Sequence, residues 1–166
     1  MLEKVNPHIS LARATRGFTL VELLVTLAVA AVILTLVVPS FTDQLARRKL
    51  EGAATELSSD LQYARSQAVS NNASTSLATN AGGTQYTITS GTTTYKTVTL
   101  DSQLSITVGT TVAYYPLRAM ADAAHSWTIS STKTTGQLRV SVSAMGGVTI
   151  CAPSGHSFVG YTTCTS

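Results

Sequence analysis

Residues 16–39 read RGFTLVELLVTLAVAAVILTLVVP. From Phe18 to Val38 the run holds 21 residues and a single charge, Glu22. At about 1.5 Å per residue it makes a helix of roughly 30 Å, the thickness of a bilayer's hydrocarbon core. It is long enough to span. Glu22 is the anomaly, because a carboxylate in hydrocarbon costs on the order of 3 kcal/mol and such groups are usually paired. A cut between Gly17 and Phe18 would create an α-amino group four residues from Glu22 on the same helix face. The new terminus and the carboxylate could then neutralise each other, within one chain or between neighbours.

Composition agrees with a membrane-associated chain. Only 11% of the 166 residues are charged against 44% hydrophobic, which disfavours a disordered chain, a coiled coil or a nucleic-acid-packaging protein. The net charge of +3 is set largely by the N-terminal third, where Lys4, Arg13 and Arg16 precede the apolar run and Arg47, Arg48 and Lys49 follow it. Beyond Asn71 only Lys96, Arg118, Lys133 and Arg139 face Asp101 and Asp122, a poor basis for a polyanion partner.

An apolar pattern continues past Pro39 through Phe41, Leu45, Leu50, Ala54, Leu57, Leu61, Ala64 and Ala68, mostly at steps of four. That is one stripe on a helix, with Arg47, Lys49, Glu51, Glu56 and Arg65 on the other sides. The expectation is one helix over 18–70, kinked or loosened at Pro39 and ended by Asn71-Asn72. After that the texture changes. Of the 96 residues from 71 to 166, 34 are Ser or Thr, and short β-branched segments appear at 84–89, 92–100, 104–108, 111–115, 126–130, 137–143 and 147–151. Ser90-Gly91 and Met145-Gly146-Gly147 read as hairpin turns between them. Because Ile88, Tyr95, Val98, Trp127, Ile129, Val140, Val142 and Ile150 recur at strand spacing, a small antiparallel sheet is preferred over a low-complexity stalk.

Cys151 and Cys164 are the only cysteines. In a cytosolic chain they would be two free thiols; in an exported chain they read as one disulfide closing a C-terminal loop. Metal binding is disfavoured, since His156 alone cannot complete a tetrahedral set with them. His125 and His156 read as isolated histidines, and Ser154-Gly155-His156 lacks a positioned acid and a nucleophile-elbow pattern. Gly82-Gly83 and Gly146-Gly147 are turn glycines without the basic residue a phosphate cradle needs. Trp127 and Tyr114-Tyr115 suit core packing better than an adhesive patch. No cofactor and no enzymatic activity is expected.

The stretch Arg16–Leu24, the length of the apolar run and Pro39 together resemble the class III signal of type IV pilins and type II secretion pseudopilins. An ordinary signal peptide fits poorly, because its small-x-small site, Ala28-Val29-Ala30, would fall inside the apolar run. A plain anchor leaves Glu22 unexplained. The resemblance implies cleavage by a prepilin peptidase after Gly17, N-methylation of Phe18, and a role for Glu22 in docking each subunit onto a filament. The 57–68 helix segment and the Leu138–Cys151 hairpin resemble the GspH/FimT group of minor pilins more loosely.

The implied protein is α+β, with a leader (1–17), a transmembrane half-helix (18–39), an amphipathic half-helix (40–70) and a periplasmic β domain (71–166). Its implied partners are other pilins or pseudopilins, the peptidase and an inner-membrane assembly platform. Export makes the Cys151–Cys164 disulfide the preferred reading. The alternative is a pilus-tip binding protein, a DNA-uptake receptor or an adhesin. Some DNA-binding members carry Gly-Arg-x-Arg on the hairpin, whereas here Gly146-Gly147-Val148-Thr149 has no arginine, so the residues do not support DNA as a partner.

Overall fold

Thr19 starts the helix. Its Oγ1 accepts the Glu22 backbone N–H at 3.2 Å, which satisfies one of the four amides a helix N-terminus leaves open. Helix α1 then runs Leu20–Ser70, 51 residues. It ends where Asn72 adopts φ 47°, with the Ala73 N–H reaching Ala68 O at 3.2 Å and the Asn72 N–H reaching Val69 O at 3.3 Å. Those two bonds form a Schellman cap, with asparagine supplying the left-handed residue that glycine more often provides. The computed structural model describes residues 17–107 and 111–165, with the side chains of 36–40 outside that set. Within this range the chain divides at Pro39 into two units. The expected loosening at Pro39 falls at that division, on a side chain outside the described residues, as does the leader up to Arg16.

In the first unit every large apolar side chain from Leu20 to Leu34 is more than half exposed. Thr26 and Thr35 turn their hydroxyls back onto Leu23 O (2.9 Å) and Val32 O (2.7 Å), so neither presents an unsatisfied donor to apolar surroundings. A helix that is apolar all round is suited to burial in a larger apolar environment. Among the described residues no helix is long and apolar enough to cross a membrane. The described side chains of the run stop at Thr35, short of the Val38 that ends it in the sequence.

In the second unit Leu50, Ala54, Leu57, Leu61, Ala64 and Ala68 are fully buried, alternating steps of four and three. Ala46 extends this stripe, whereas Phe41 and Leu45 stay 66% and 48% exposed, contrary to the expected pattern. The reason is helical phase. Phe41 lies nine residues before Leu50, about 180° around a helix of 3.6 residues per turn.

Among the described residues nine strands follow: β1 Thr75–Thr79, β2 Gln85–Ser90, β3 Thr93–Thr99, β4 Leu104–Ile106, β5 Thr111–Tyr115, β6 Met120–Ala121, β7 His125–Ser131, β8 Gln137–Val142 and β9 Val148–Cys151. They form two antiparallel sheets, β3-β2-β1-β5-β6 and β4-β7-β8-β9, rather than one. The inward faces carry Leu77, Tyr86, Ile88, Val112 and Tyr114 from the first sheet, and Trp127, Ile129, Leu138 and Val140 from the second. With the helical stripe they make a single core. Outward positions pair hydroxyl with hydroxyl, as in Ser76–Thr89 (3.1 Å) and Ser105–Ser130 (3.0 Å), which accounts for the Ser/Thr content without a stalk.

Gly83 joins the two sheets. At φ 63° its carbonyl accepts the Ile106 N–H at 2.8 Å. A disulfide links Cys151 to Cys164, next to a parallel bridge between Ala152 and Thr163. Within the loop it closes, the Tyr161 hydroxyl donates to Glu51 Oε1 on the helix at 3.0 Å. Closing a loop of 13-residue separation contributes about 3 kcal/mol in the chain-entropy picture.

Candidate functional site

Gly17, Phe18 and Glu22 lie together at the start of α1. Gly17 and Phe18 precede the first helical turn, and Phe18 is 79% exposed. Thr19 and Glu22 have the spacing of a capping box, and the carboxylate sits in the first turn, where the positive end of the helix dipole favours an anion. This second reason for an acid at position 22 was visible in the T-x-x-E spacing but masked by the question of burial.

The second unit has polar features that sequence reasoning missed. Asp60, nearly buried, accepts the Tyr86 hydroxyl at 2.6 Å and Lys96 Nζ at 2.8 Å on both carboxylate oxygens. Glu56 adds a longer contact to Lys96 at 3.2 Å. One carboxylate thus ties the helix to β2 and β3. Burial, then the bond to Asp60, pushes the Tyr86 phenol far above its ordinary value of 10.0, and the bond to Asp60 raises Lys96 above 10.5. Tyr114 is pushed up to about 12 by burial.

Groups with raised pKa hold protons in the folded state that the unfolded chain releases. Their stability is therefore complete below pH about 10 and is lost as pH climbs through the folded values. The near-ultraviolet tyrosinate signal should accordingly rise in two stages, with Tyr86 and Tyr114 ionising only as the fold opens. A single ionisation step with all tyrosines near pH 10 would contradict the network.

Arg65 organises a corner. Its Nε donates to Ala119 O at 2.7 Å and its Nη1 to Gly146 O at 3.4 Å, linking the helix to the turn after β5 and to the β8–β9 turn. The two segments that resembled a minor-pilin group in sequence therefore meet here. Gly146 has φ 79°, and a Cβ there would lie 2.9 Å from both Ala119 O and Arg65 Nε, so a side chain is excluded on two counts. His125 is not isolated as expected. Its Nε2 lies 3.0 Å from Asp122 Oδ1, which also accepts the Ala113 N–H, and its ring lies 6.2 Å from that of Trp127. Burial works against the Asp122 carboxylate, but the Ala113 amide and His125 outweigh it and hold its pKa low. His156 Nδ1 contacts Thr135 O at 2.8 Å, as a loop residue would. Trp127 and Tyr114 are core residues, while Tyr115 is half exposed. Among the described residues, no cluster of His, Cys, Asp and Glu could hold a metal ion.

The second unit, a helix segment packed against two antiparallel sheets, is similar in fold to solved minor pilin and pseudopilin structures. A crystal structure of the type IV minor pilin FimU of Pseudomonas aeruginosa aligns with 65% of this chain and 95% of its own, at 23% identity and a TM-score of 0.56. A second crystal form of FimU aligns with 63% and 98% (24% identity, TM-score 0.54). The minor pseudopilin EpsH from the type 2 secretion system of Vibrio cholerae aligns with 64% and 98% (13% identity, TM-score 0.51). Residues 53–146, more than half of the chain, match the family described as type II transport protein GspH, and residues 12–38 match the prokaryotic N-terminal methylation motif. The chain belongs to the GspH family. No curated protein matches the sequence.

Proposed function

We propose that the chain is a structural minor subunit of a type IV pilus or type II secretion pseudopilus, with no catalytic role. In this reading residues 1–17 are a leader that stays on the cytoplasmic side under the positive-inside bias. Prepilin peptidase cuts between Gly17 and Phe18, and Phe18 becomes the N-methylated terminus. Residues 18–39 anchor the subunit in the inner membrane with the β domain in the periplasm. An assembly platform then draws it into a filament of other pilins or pseudopilins. The observation that carries this is the exposed, all-apolar helix of the first unit, capped by Thr19 and opening on Glu22, within residues that match the methylation motif. Unpaired in hydrocarbon, Glu22 costs on the order of 3 kcal/mol, and the Phe18 amine of the same or a neighbouring subunit offsets that cost.

Intact-mass measurement of the protein from its producing cells should give a chain beginning at Phe18 and heavier by one methyl group. In the same cells Glu22→Ala should still insert and be cut, because it removes an expensive charge, but its recovery in filaments should fall at least tenfold. A mature start after Ala30 overturns the processing. Normal incorporation of the variant overturns the role of Glu22.

The DNA-receptor alternative has less support. The Gly146-Gly147 turn bears no cation of its own, and Arg139 sits in β8 opposite Cys151. Too few phosphates could be neutralised there for more than weak, salt-sensitive binding.

A further inference from the structure

Arg139 is a half-buried cation that makes no hydrogen bond or ion pair among the described residues. Its Nε is shielded from water and meets no acceptor. Such a group is costly to bury and calls for an explanation. No carboxylate in the surrounding elements supplies one, because the sequence from His125 to Ser166 holds neither Asp nor Glu. The other titratable groups on these elements are directed elsewhere. His125 alternates onto the Trp127 face of β7, His156 Nδ1 is held at Thr135 O, and Tyr161 donates to Glu51. Lys133 is exposed in the loop before β8.

The neighbour that answers is sulfur. Arg139 and Cys151 are directly opposed in the β8–β9 register, so their side chains leave the sheet on one face with Cβ atoms about 5 Å apart. In the folded chain that sulfur is bonded to Cys164, neutral and a weak acceptor. Before the bond closes it is a thiol, and its thiolate carries the negative charge that Arg139 lacks. A cation beside a cysteine lowers its pKa, and the thiolate is the nucleophile in disulfide exchange. We propose that Arg139 holds Cys151 as a thiolate in the reduced chain, which makes Cys151 the sulfur that exchanges with disulfide carriers and Cys164 the one that resolves. The Cys151 thiolate attacks a disulfide co-reactant, forms a mixed disulfide and expels one thiolate. Cys164 gives its proton to solvent, attacks Cys151 Sγ and expels the second. Two electrons pass from the cysteines to the co-reactant, which leaves as two thiols. Arg139 acts through Cys151, as a positioning residue.

The test follows glutathionylation of the full chain by glutathione disulfide, read by intact mass as a function of pH. Cys164→Ser leaves Cys151 alone to react, and Cys151→Ser leaves Cys164. The Cys151 rate should titrate about one unit below the ordinary thiol value of about 8.5, whereas Cys164 should keep that value. At about pH 6 this gives roughly tenfold more thiolate, of which the lower basicity takes back about threefold, so Cys151 should react about threefold faster than Cys164. Arg139→Gln should return the midpoint to about 8.5 and erase the difference, and Arg139→Lys, which keeps the charge, should preserve it. A merely structural arginine would shift the melting temperature without moving the midpoint. To guard against a loosened fold in the serine variants, the reduced parent chain is also quenched in acid early in the reaction and its peptides are mapped. Glutathione should then sit on Cys151. An adduct on Cys164, or a midpoint that Arg139→Gln leaves in place, overturns the inference. Neither result bears on the filament role.

Discussion

Asp60→Ala should destabilise the second unit by about 4 kcal/mol, because removing one member of a buried charged network strands its partners. The Tyr86 hydroxyl would lose its acceptor inside the core, and Lys96 would keep only its longer contact to Glu56. Lys96 is 38% exposed and can turn to water, so most of the loss comes from the carboxylate–phenol bond and the void. Asp60→Asn keeps the volume and an acceptor for Tyr86, and should cost only about 1–2 kcal/mol. Urea denaturation of the three proteins separates these cases. Equal losses for Ala and Asn would mean that the network's value lies wholly in its charge.

Gly83→Ala is the second large effect. A Cβ at position 83 would overlap the Ile106 carbonyl oxygen, which is backbone and cannot swing away, and the φ of 63° adds strain for any side chain. A loss of about 3–4 kcal/mol is expected, because the loop must give up either its conformation or the 2.8 Å bond to the Ile106 N–H. Gly91 is the control. Its φ is 57°, but no atom lies within 4 Å of the place a Cβ would take, so Gly91→Ala should cost only about 1 kcal/mol. Thermal melts that shift equally for both would show that conformation alone, and not the contact between sheets, accounts for Gly83.

Much of this architecture was legible because it follows from period. The Leu50–Ala68 stripe, the helix end at Asn71-Asn72, seven of the strands and the glycine turns all follow from side-chain spacing and turn chemistry. Strand β1 was not legible. Its sequence, TSLAT, offers Leu77 as its one large apolar residue, yet it is the centre of a sheet because β2 and β5 flank it on both edges. The Asp60 network was hidden for a different reason. Tyr86 and Lys96 lie 26 and 36 residues from Asp60, and only the pairing register of β2 with β3 brings them to one carboxylate. Arg65 looked like a solvated cation on a polar face because its partners are backbone carbonyls, which no side-chain pattern announces. At the N-terminus the residues proposed for processing and assembly were the easiest to find, since one carboxylate stands out in a long apolar run.

The bond from Tyr161 back to Glu51 spans 110 residues of chain, and that distance has a consequence in time. A polypeptide made at roughly 5–20 residues per second presents Glu51 on the order of ten seconds before Tyr161 exists. Through that interval the helix can form locally, but its stripe waits for strands that arrive in order, and contacts of such long separation are slow to close. The segment that straps the sheet domain to its helix, and the cysteine that fixes the strap, are made only after β1 to β9. A chain interrupted just before Cys164 would carry nearly all of its core and none of its lock.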